Sequence, residues 1–266
     1  MTLRTHELPA TFGLLHWSVR ATSDAACAAL LARFVDLYAE RLFNTHWGEQ
    51  ASARADNRFE ALMLFQDLDE AAAREAWRPL VEFVDAHAGD YHVEAPLLVA
   101  TIPARRLWDE AFLREHLASV LTDDPPPGAR PGDWWWTGNT AEAGAFWNGY
   151  HSLWLPASLL RPGERARSAE AWFHASRRWT TTLHFNKGLA GAPADAVAAS
   201  RATAMNPQVL DAFALAIVAM DGRSVYLAPP DLADARSDAD RIASAVAELR
   251  RVAPEAAATC PNATTI

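Results

Sequence analysis

The chain of 266 residues is half apolar and 21% charged, a composition typical of a globular protein with a sizeable core. Its formal net charge of -9 argues against nucleic-acid and anionic-membrane partners, since both attract basic surfaces. The two cysteines, Cys27 and Cys260, provide no disulfide framework, and the first residues lack a signal-peptide layout. No apolar run reaches the ~18 residues that a membrane helix needs. We therefore expect a cytoplasmic protein that binds neither nucleic acid nor membranes.

The first hundred residues alternate between strand and helix patterns. The predicted elements, in chain order, are a strand over 11–20, a helix of about 19 residues after Ser23, strands over 45–54 and 57–66, a helix after Asp69, and a strand over 91–102. Pro96 inside the last strand predicts an edge position or a bulge. The order β-α-β-β-α-β is that of the ferredoxin-like unit.

The remainder of the chain is less regular. Its predicted elements are a helix over 108–120, a Pro- and Gly-rich loop to 132, a helix over 163–178, a strand over 179–186 and a helix over 231–252. The apolar run 211–219 is either helix or strand, because periodicity does not separate short runs. We predict an α+β fold: an antiparallel sheet with helices on one face, with a ferredoxin-like βαββαβ start extended by further strands. Its second face is free to cover another body.

The segment 183–191, with the sequence LHFNKGLAG, places polar side chains at the end of an apolar strand. His184 and Asn186 share one face by the strand period of two, and Lys187 follows them. The small residues after Lys187 allow a ligand or another backbone to approach closely. The pattern fits either a binding site or an ordinary strand end with a solvated lysine.

Two further segments carry candidate side chains. Tyr150 and Trp154 line an aromatic pocket or pack in the core. His46 and Glu49 resemble an acid–base pair, but residues three apart in a strand are expected to point to opposite faces. The nine histidines lack the spacing of a zinc site, and no nucleotide loop or nucleophile motif occurs. The residues therefore assign no metal site, no cofactor-binding residue and no catalytic residue.

Several stretches, in the same order along the chain, resemble one enzyme family. The stretches cover residues 42–50, 146–150 together with 154–160, 183–195 and 206–217. Together they are similar to bacterial FAD-linked oxidases of the berberine bridge enzyme-like family, and the similarity runs from residue 2 to about 254. The resemblance implies the substrate domain of such an oxidase, in which the open face of a wide antiparallel sheet covers the flavin ring. Members of this family oxidise carbohydrates, alkaloids and other metabolites by hydride transfer to flavin.

The resemblance implies a division of labour between this chain and another domain. Residues 1–254 are similar to the substrate domain only, and neither the flavin-binding domain nor the C-terminal segment of the family is recognised. FAD is therefore expected in the complete enzyme but is not expected to be held by this chain alone. A separately encoded FAD-binding domain and a small-molecule substrate are the expected partners. The resemblance favours Tyr150 as a substrate-binding residue. Some family members place a catalytic carboxylate on the strand that here carries His184 and Asn186, so we expect these two to bind substrate and the catalytic base stays unknown.

These expectations describe the substrate-binding half of an FAD-dependent oxidoreductase that is inactive alone. The alternative is a standalone small-molecule binding module, or the remnant of a broken gene. Residues 255–266 have no apolar period and are predicted to form a disordered tail. A frameshift is one origin of this tail, since the family continues differently at this position.

Overall fold

The computed structural model describes residues 7–123, 133–139, 145–186, 188–204, 206–224 and 231–256. Its strands are β1 (Thr11–Ala21), β2 (Trp47–Ala53), β3 (Arg58–Gln66), β4 (Tyr91–Pro103), β5 (Leu121–Asp123), β6 (Trp134–Trp136), β7 (Ala145–Pro156), β8 (Thr181–Phe185) and β9 (Ala212–Ser224). Its α-helices are α1 (Asp24–Leu37), α2 (Glu70–Ala86), α3 (Glu110–His116), α4 (Arg165–Arg178), α5 (Ala194–Arg201) and α6 (Leu232–Arg250).

Seven of the strands form one antiparallel sheet, in the order β4-β1-β3-β2-β8-β9-β7, and β5 pairs with β6 separately. The first four positions are the antiparallel arrangement that the βαββαβ order predicts. Strands β8, β9 and β7 then extend the sheet beyond β2. The predicted α+β fold with an extended ferredoxin-like start is therefore confirmed.

Local sequence explains where the long helices begin. Ser23, Asp69 and Asp231 each accept a hydrogen bond from a backbone N–H in the first turn of the helix that follows. These side chains satisfy donors that a helix start leaves without partners. One turn of π-helix over Tyr38–Leu42 continues α1, so the helical segment has the predicted extent.

The helices bury one face of the sheet. Phe34 on α1 has no exposed surface, and its ring centroid lies 5.0 Å from that of Phe59 and 5.7 Å from that of Phe185. Gly149 on β7 faces α6, since a Cβ there would lie 3.1 Å from Cδ1 of Ile242. Helices from both parts of the chain thus share a continuous core, which leaves the opposite face of the sheet uncovered by them.

Some predicted elements differ from the structure. The predicted helix 108–120 is shorter, because Leu117 adopts φ -136° after α3. The ambiguous run 211–219 is strand β9, whose backbone pairs with β8 on one side and β7 on the other. Helix α5 was not predicted. Pro96 lies in edge strand β4, next to a register shift between the partners of His16 and Ser18, as expected.

The first residues of the predicted tail are packed against the domain. Ala256 is buried, and its carbonyl oxygen accepts a hydrogen bond of 3.3 Å from Arg250. Residues 257–266, on which the rest of the tail prediction falls, lie outside the described residues. No described helix combines the length and the apolar character that crossing a membrane requires.

Candidate functional site on the open face

The open face is the face of the seven-stranded sheet opposite the helices. Because Gly149 faces α6, alternation along β7 directs Tyr150, Ser152 and Trp154 to the open face. The register of the neighbouring strands then identifies the other side chains on this face. The strand order therefore brings polar groups from five strands onto one surface.

Two cross-strand rows run through the middle of the open face. The hydroxyl row consists of Ser18, Glu60, Ser52, Thr182, Ile217 and Ser152. The histidine row, one step further along the strands, consists of Leu98, His16, Leu62, Gln50, His184, Leu215 and Trp154. Within the hydroxyl row, the hydroxyl oxygens of Ser52 and Thr182 lie 2.8 Å apart. The hydroxyl row is polar except for Ile217, whereas the histidine row contains both polar and apolar side chains.

An acid–base pair links the two rows. Nε2 of His16 lies 3.3 Å from Oε1 of Glu60, and the other carboxylate oxygen accepts a 3.0 Å hydrogen bond from Arg54. The side chains of His16 and Glu60 are each 31% exposed, so the pair is accessible from the open face. The sequence does not reveal this pair, because His16 and Glu60 are 44 residues apart and only the β1–β3 register makes them neighbours.

His184 and Asn186 lie on the open face as predicted from the strand period. His184 sits between Gln50 on β2 and Leu215 on β9. Asn186 is exposed just beyond β8, where it adopts φ +55° and its backbone N–H donates to the carbonyl of Phe213. A left-handed residue at this point ends the strand and turns the chain. Lys187 lies outside the described residues.

Tyr150 lies on the same face but in a different region. It pairs with Ala219, whereas Trp154, four residues further along β7, belongs to the histidine row. Four residues of strand correspond to about 13 Å. The structure therefore brings His184 and Asn186 together and does not bring Tyr150 to them.

A cleft of about 180 Å³ lies at the end of the open face next to Asn186. Its polar lining includes Thr45, His46, Glu49 and Gln66. His46 and Glu49 were expected to point to opposite faces, but both line this cleft. His46 precedes β2, which begins at Trp47, and Glu49 within β2 has φ +67°. Nδ1 of His46 lies 3.0 Å from the carbonyl oxygen of Gln66, which fixes the imidazole on the cleft wall.

Other reactive groups contribute less. Among the described residues, no cluster of three or more His, Cys, Asp or Glu side chains has the geometry of a metal site. Cys27 is buried in the helical layer, and this burial raises the pKa of its thiol to about 11. A thiol with such a pKa stays protonated at neutral pH and is a poor nucleophile.

Comparisons with known proteins identify the fold. No family model and no curated protein matches the chain. Among solved structures, the chain is similar to the VAO-type flavoprotein MtVAO713 from Myceliophthora thermophila C1, with a TM-score of 0.61 and 11% identity over 98% of this chain and 44% of that one. It is also similar to BBE-like 1 from Physcomitrella patens, with a TM-score of 0.52 and 8% identity over 92% of this chain and 45% of that one.

A third similar structure is that of an oxidase that carries FAD. Glucooligosaccharide oxidase from Acremonium strictum, which carries a 6-S-cysteinyl, 8α-N1-histidyl FAD, matches with a TM-score of 0.51 and 12% identity. That match covers 90% of this chain and 44% of the oxidase. The chain therefore spans less than half the length of each of these flavoproteins and shares the fold of that part. At these identities the similarity concerns the fold.

Proposed function

We propose that this chain is the substrate-side domain of an FAD-dependent oxidoreductase and that its open face covers the flavin ring and the substrate. The proposal rests on how much of each chain the structural match covers: 98% of this chain matches 44% of a VAO-type flavoprotein. A match of this kind supports the proposal that the chain corresponds to one portion of a larger flavoprotein. Among the described residues, helices α1, α2, α4 and α6 pack against one face of the sheet, so the other face is available for this role.

The open face suits a flat ring that has polar and apolar edges. Gln50, Ser52 and Thr182 present hydrogen-bonding groups at the middle of the sheet. Leu62, which is 37% exposed, and the half-buried Leu64 provide an apolar area beside them. Bound FAD would supply the acceptor for a hydride, that is, for two electrons together with a proton, and the protein would supply position and polarity. The chain has no phosphate-binding sequence motif, so we assign the ring to this face and the rest of FAD to another domain.

The substrate would lie between the open face and the flavin. His184 and Asn186 would hold a polar small molecule by hydrogen bonds, and Trp154 in the same region offers an aromatic surface for its carbon skeleton. Tyr150, about 13 Å further along the strand direction, would contact only an extended substrate. We therefore propose His184 and Asn186 as the inner substrate contacts and Tyr150 as an outer one.

The experiment is to isolate the protein from its host in its native assembly and to record the visible spectrum of that assembly. We expect flavin absorbance, in a larger polypeptide or in a tightly associated second subunit. The absence of flavin from the purified assembly would contradict the proposal and would favour a standalone small-molecule binding module.

Substitutions then test which surface the flavin meets. Gln50→Trp adds a bulky ring to the middle of the open face and should displace the flavin or shift its absorption bands. The matched control is Ser244→Trp on α6, an exposed position whose hydroxyl bonds only the Asp240 carbonyl of its own helix. An unchanged flavin spectrum in Gln50→Trp would show that the ring does not lie against this face.

A further inference from the structure

His16 occupies an accessible position between apolar neighbours. On β4 its cross-strand neighbour is Leu98, and on β3 it is Leu62; the two leucines are 50% and 37% exposed. Glu60 approaches the imidazole diagonally from β3. A body that covers the open face would bury both leucines and exclude water from the imidazole. In a dry environment the interaction of His16 with Glu60 becomes stronger.

The contact with Glu60 decides which ring nitrogen of His16 is basic. An ionised carboxylate only accepts hydrogen bonds, so Nε2 of His16 must carry the proton that points to Glu60. In the neutral imidazole, Nδ1 is then the nitrogen with a free lone pair. Within the part of the chain that the structure describes, Nδ1 of His16 makes no hydrogen bond. It is therefore open to a ligand on the open face.

Arg54 completes the arrangement. Its guanidinium donates to Oε2 of Glu60 at 3.0 Å, which leaves Oε1 for His16. The permanently charged guanidinium of Arg54 holds the carboxylate in place. Acid–base catalysts select one histidine tautomer by the same arrangement, in which a fixed carboxylate orients an imidazole.

The remaining charges on this part of the face are paired with one another. Arg20 donates to Glu94 at 2.6 Å and to Asp56 at 2.9 Å, and Arg58 lies 2.7 Å from the second oxygen of Glu94. These groups, with Arg54 and Glu60, are charged side chains that β1, β3, β4 and the β2–β3 turn contribute to the same face as His16. The pairing leaves Glu60 as the single carboxylate in contact with His16 among the described residues.

We propose that His16 is the general base for substrate oxidation, that Glu60 and Arg54 position it, and that the substrate is an alcohol or hemiacetal. The inference rests on the proposed function, which supplies an oxidant of the flavin class. The C–H bond of the carbinol carbon breaks, and the hydrogen leaves with the bonding electron pair as hydride, which the oxidant accepts. The O–H bond breaks and its proton goes to Nδ1 of His16, while the oxygen electron pair forms the C=O bond. Glu60 stabilises the resulting imidazolium.

The position of His16 fits a substrate that is also held by His184. Both histidines belong to the histidine row, separated by Leu62 and Gln50. Three strand spacings correspond to roughly 14 Å, enough to accommodate a small ring between the two imidazoles. One histidine would accept the hydroxyl proton while the other binds a distal polar group.

The first experiment observes the tautomer without any turnover. Nitrogen NMR of the chain should show His16 protonated at Nε2 and unprotonated at Nδ1. Glu60→Leu should turn this state into a mixture, and Glu60→Gln, whose amide oxygen still accepts a hydrogen bond, should preserve it. The matched control is the exposed pair His174 and Glu170 on α4, 3.7 Å apart, where Glu170→Leu should leave the His16 signals unchanged. A wild-type His16 protonated at Nδ1 would overturn the assignment.

The second experiment uses the flavin-containing native assembly and a panel of simple alcohols and sugars. His16→Ala should slow flavin reduction by about 10²-fold or more, with a small change in KM, and added imidazole should restore part of the rate. His174→Ala should behave as wild type. Reduction of His16→Ala at the wild-type rate, or a slow variant that imidazole does not rescue, would overturn the role of His16 while the proposed function stands. A wild-type assembly without flavin would overturn both.

Discussion

The hydroxyl oxygens of Ser52 and Thr182 lie 2.8 Å apart on the open face, although the two residues are 130 positions apart in the chain. Ser52 belongs to β2, which lies at one edge of the ferredoxin-like unit in the sheet. Thr182 belongs to β8, the strand that pairs with this edge and extends the sheet. The hydrogen bond therefore crosses the junction between the two parts of the sheet. The pair is partly buried, so water does not fully replace the hydrogen bond that one hydroxyl loses when the other is removed.

We expect Ser52→Ala and Thr182→Val each to lower the free energy of unfolding by about 1 kcal/mol. The double variant should lose less than the sum, since both changes remove the same hydrogen bond. Urea denaturation of the four proteins measures this coupling. Ser244→Ala, at an exposed helix position, serves as the control and should change stability by less than about 0.5 kcal/mol. Strict additivity would show that the hydroxyl pair contributes nothing across the junction.

Gly188 follows β8 in a tight approach to another backbone segment. A Cβ at this position would overlap the backbone carbonyl group of Ala212, which cannot move aside as a flexible side chain could. We expect Gly188→Ala to destabilise the protein by about 1–3 kcal/mol, as overpacked substitutions do. Gly138→Ala, where the added Cβ would meet nothing within 4 Å, is the matched control. Thermal unfolding of both variants checks the difference, and equal melting temperatures would contradict the close approach.

Alkaline pH should destabilise the fold through Cys27. Burial raises its pKa from 9.0 to about 11, although the nearby Arg177 opposes the shift. Between these values the unfolded thiol loses its proton while the folded one keeps it, so stability falls as pH rises from about 9. Burial also raises the pKa of Tyr91 to about 12, which acts in the same direction at higher pH.

The measurement is urea denaturation at pH 8 and pH 10. From the ionisation of Cys27 alone we expect the free energy of unfolding to fall by about 1 kcal/mol over this interval. Cys27→Ala is less stable at both values, because it leaves a small cavity, but its pH dependence should be shallower by a similar amount. If the variant and the wild type show parallel pH profiles, the thiol is not the group responsible.

The separation of the predicted site residues has a kinetic consequence under the proposed function. Tyr150 lies about 13 Å along the strand direction from the row that contains His184, beyond the range of direct coupling. We expect the effects of Tyr150→Phe and His184→Gln on kcat/KM to add, whereas those of His184→Gln and Asn186→Ala should not. Steady-state kinetics of the native assembly tests this. Strong coupling between Tyr150 and His184 would require a substrate that bridges both.

Local chemistry made the ferredoxin-like half predictable. Ser23 and Asp69 cap the helices that follow them, and apolar spacing defines which side of each helix is buried. The shared face of His184 and Asn186 follows from the two-residue period of a strand, which needs no partner strand to be known. The resemblance to FAD-linked oxidases likewise depends on stretches of sequence and agrees with the observed fold.

Only the tertiary structure decided the features that depend on strand pairing. The run 211–219 became β9 because two neighbouring strands satisfy its backbone hydrogen bonds, a choice that the run itself does not encode. The pair of His16 and Glu60 depends on the β1–β3 register, and a shift of one residue would turn one partner to the helical face. Glu49 adopts a positive φ within β2, which its place in the strand pattern does not predict. A sequence records side-chain periods within a segment, whereas register is set by packing between segments distant in the chain.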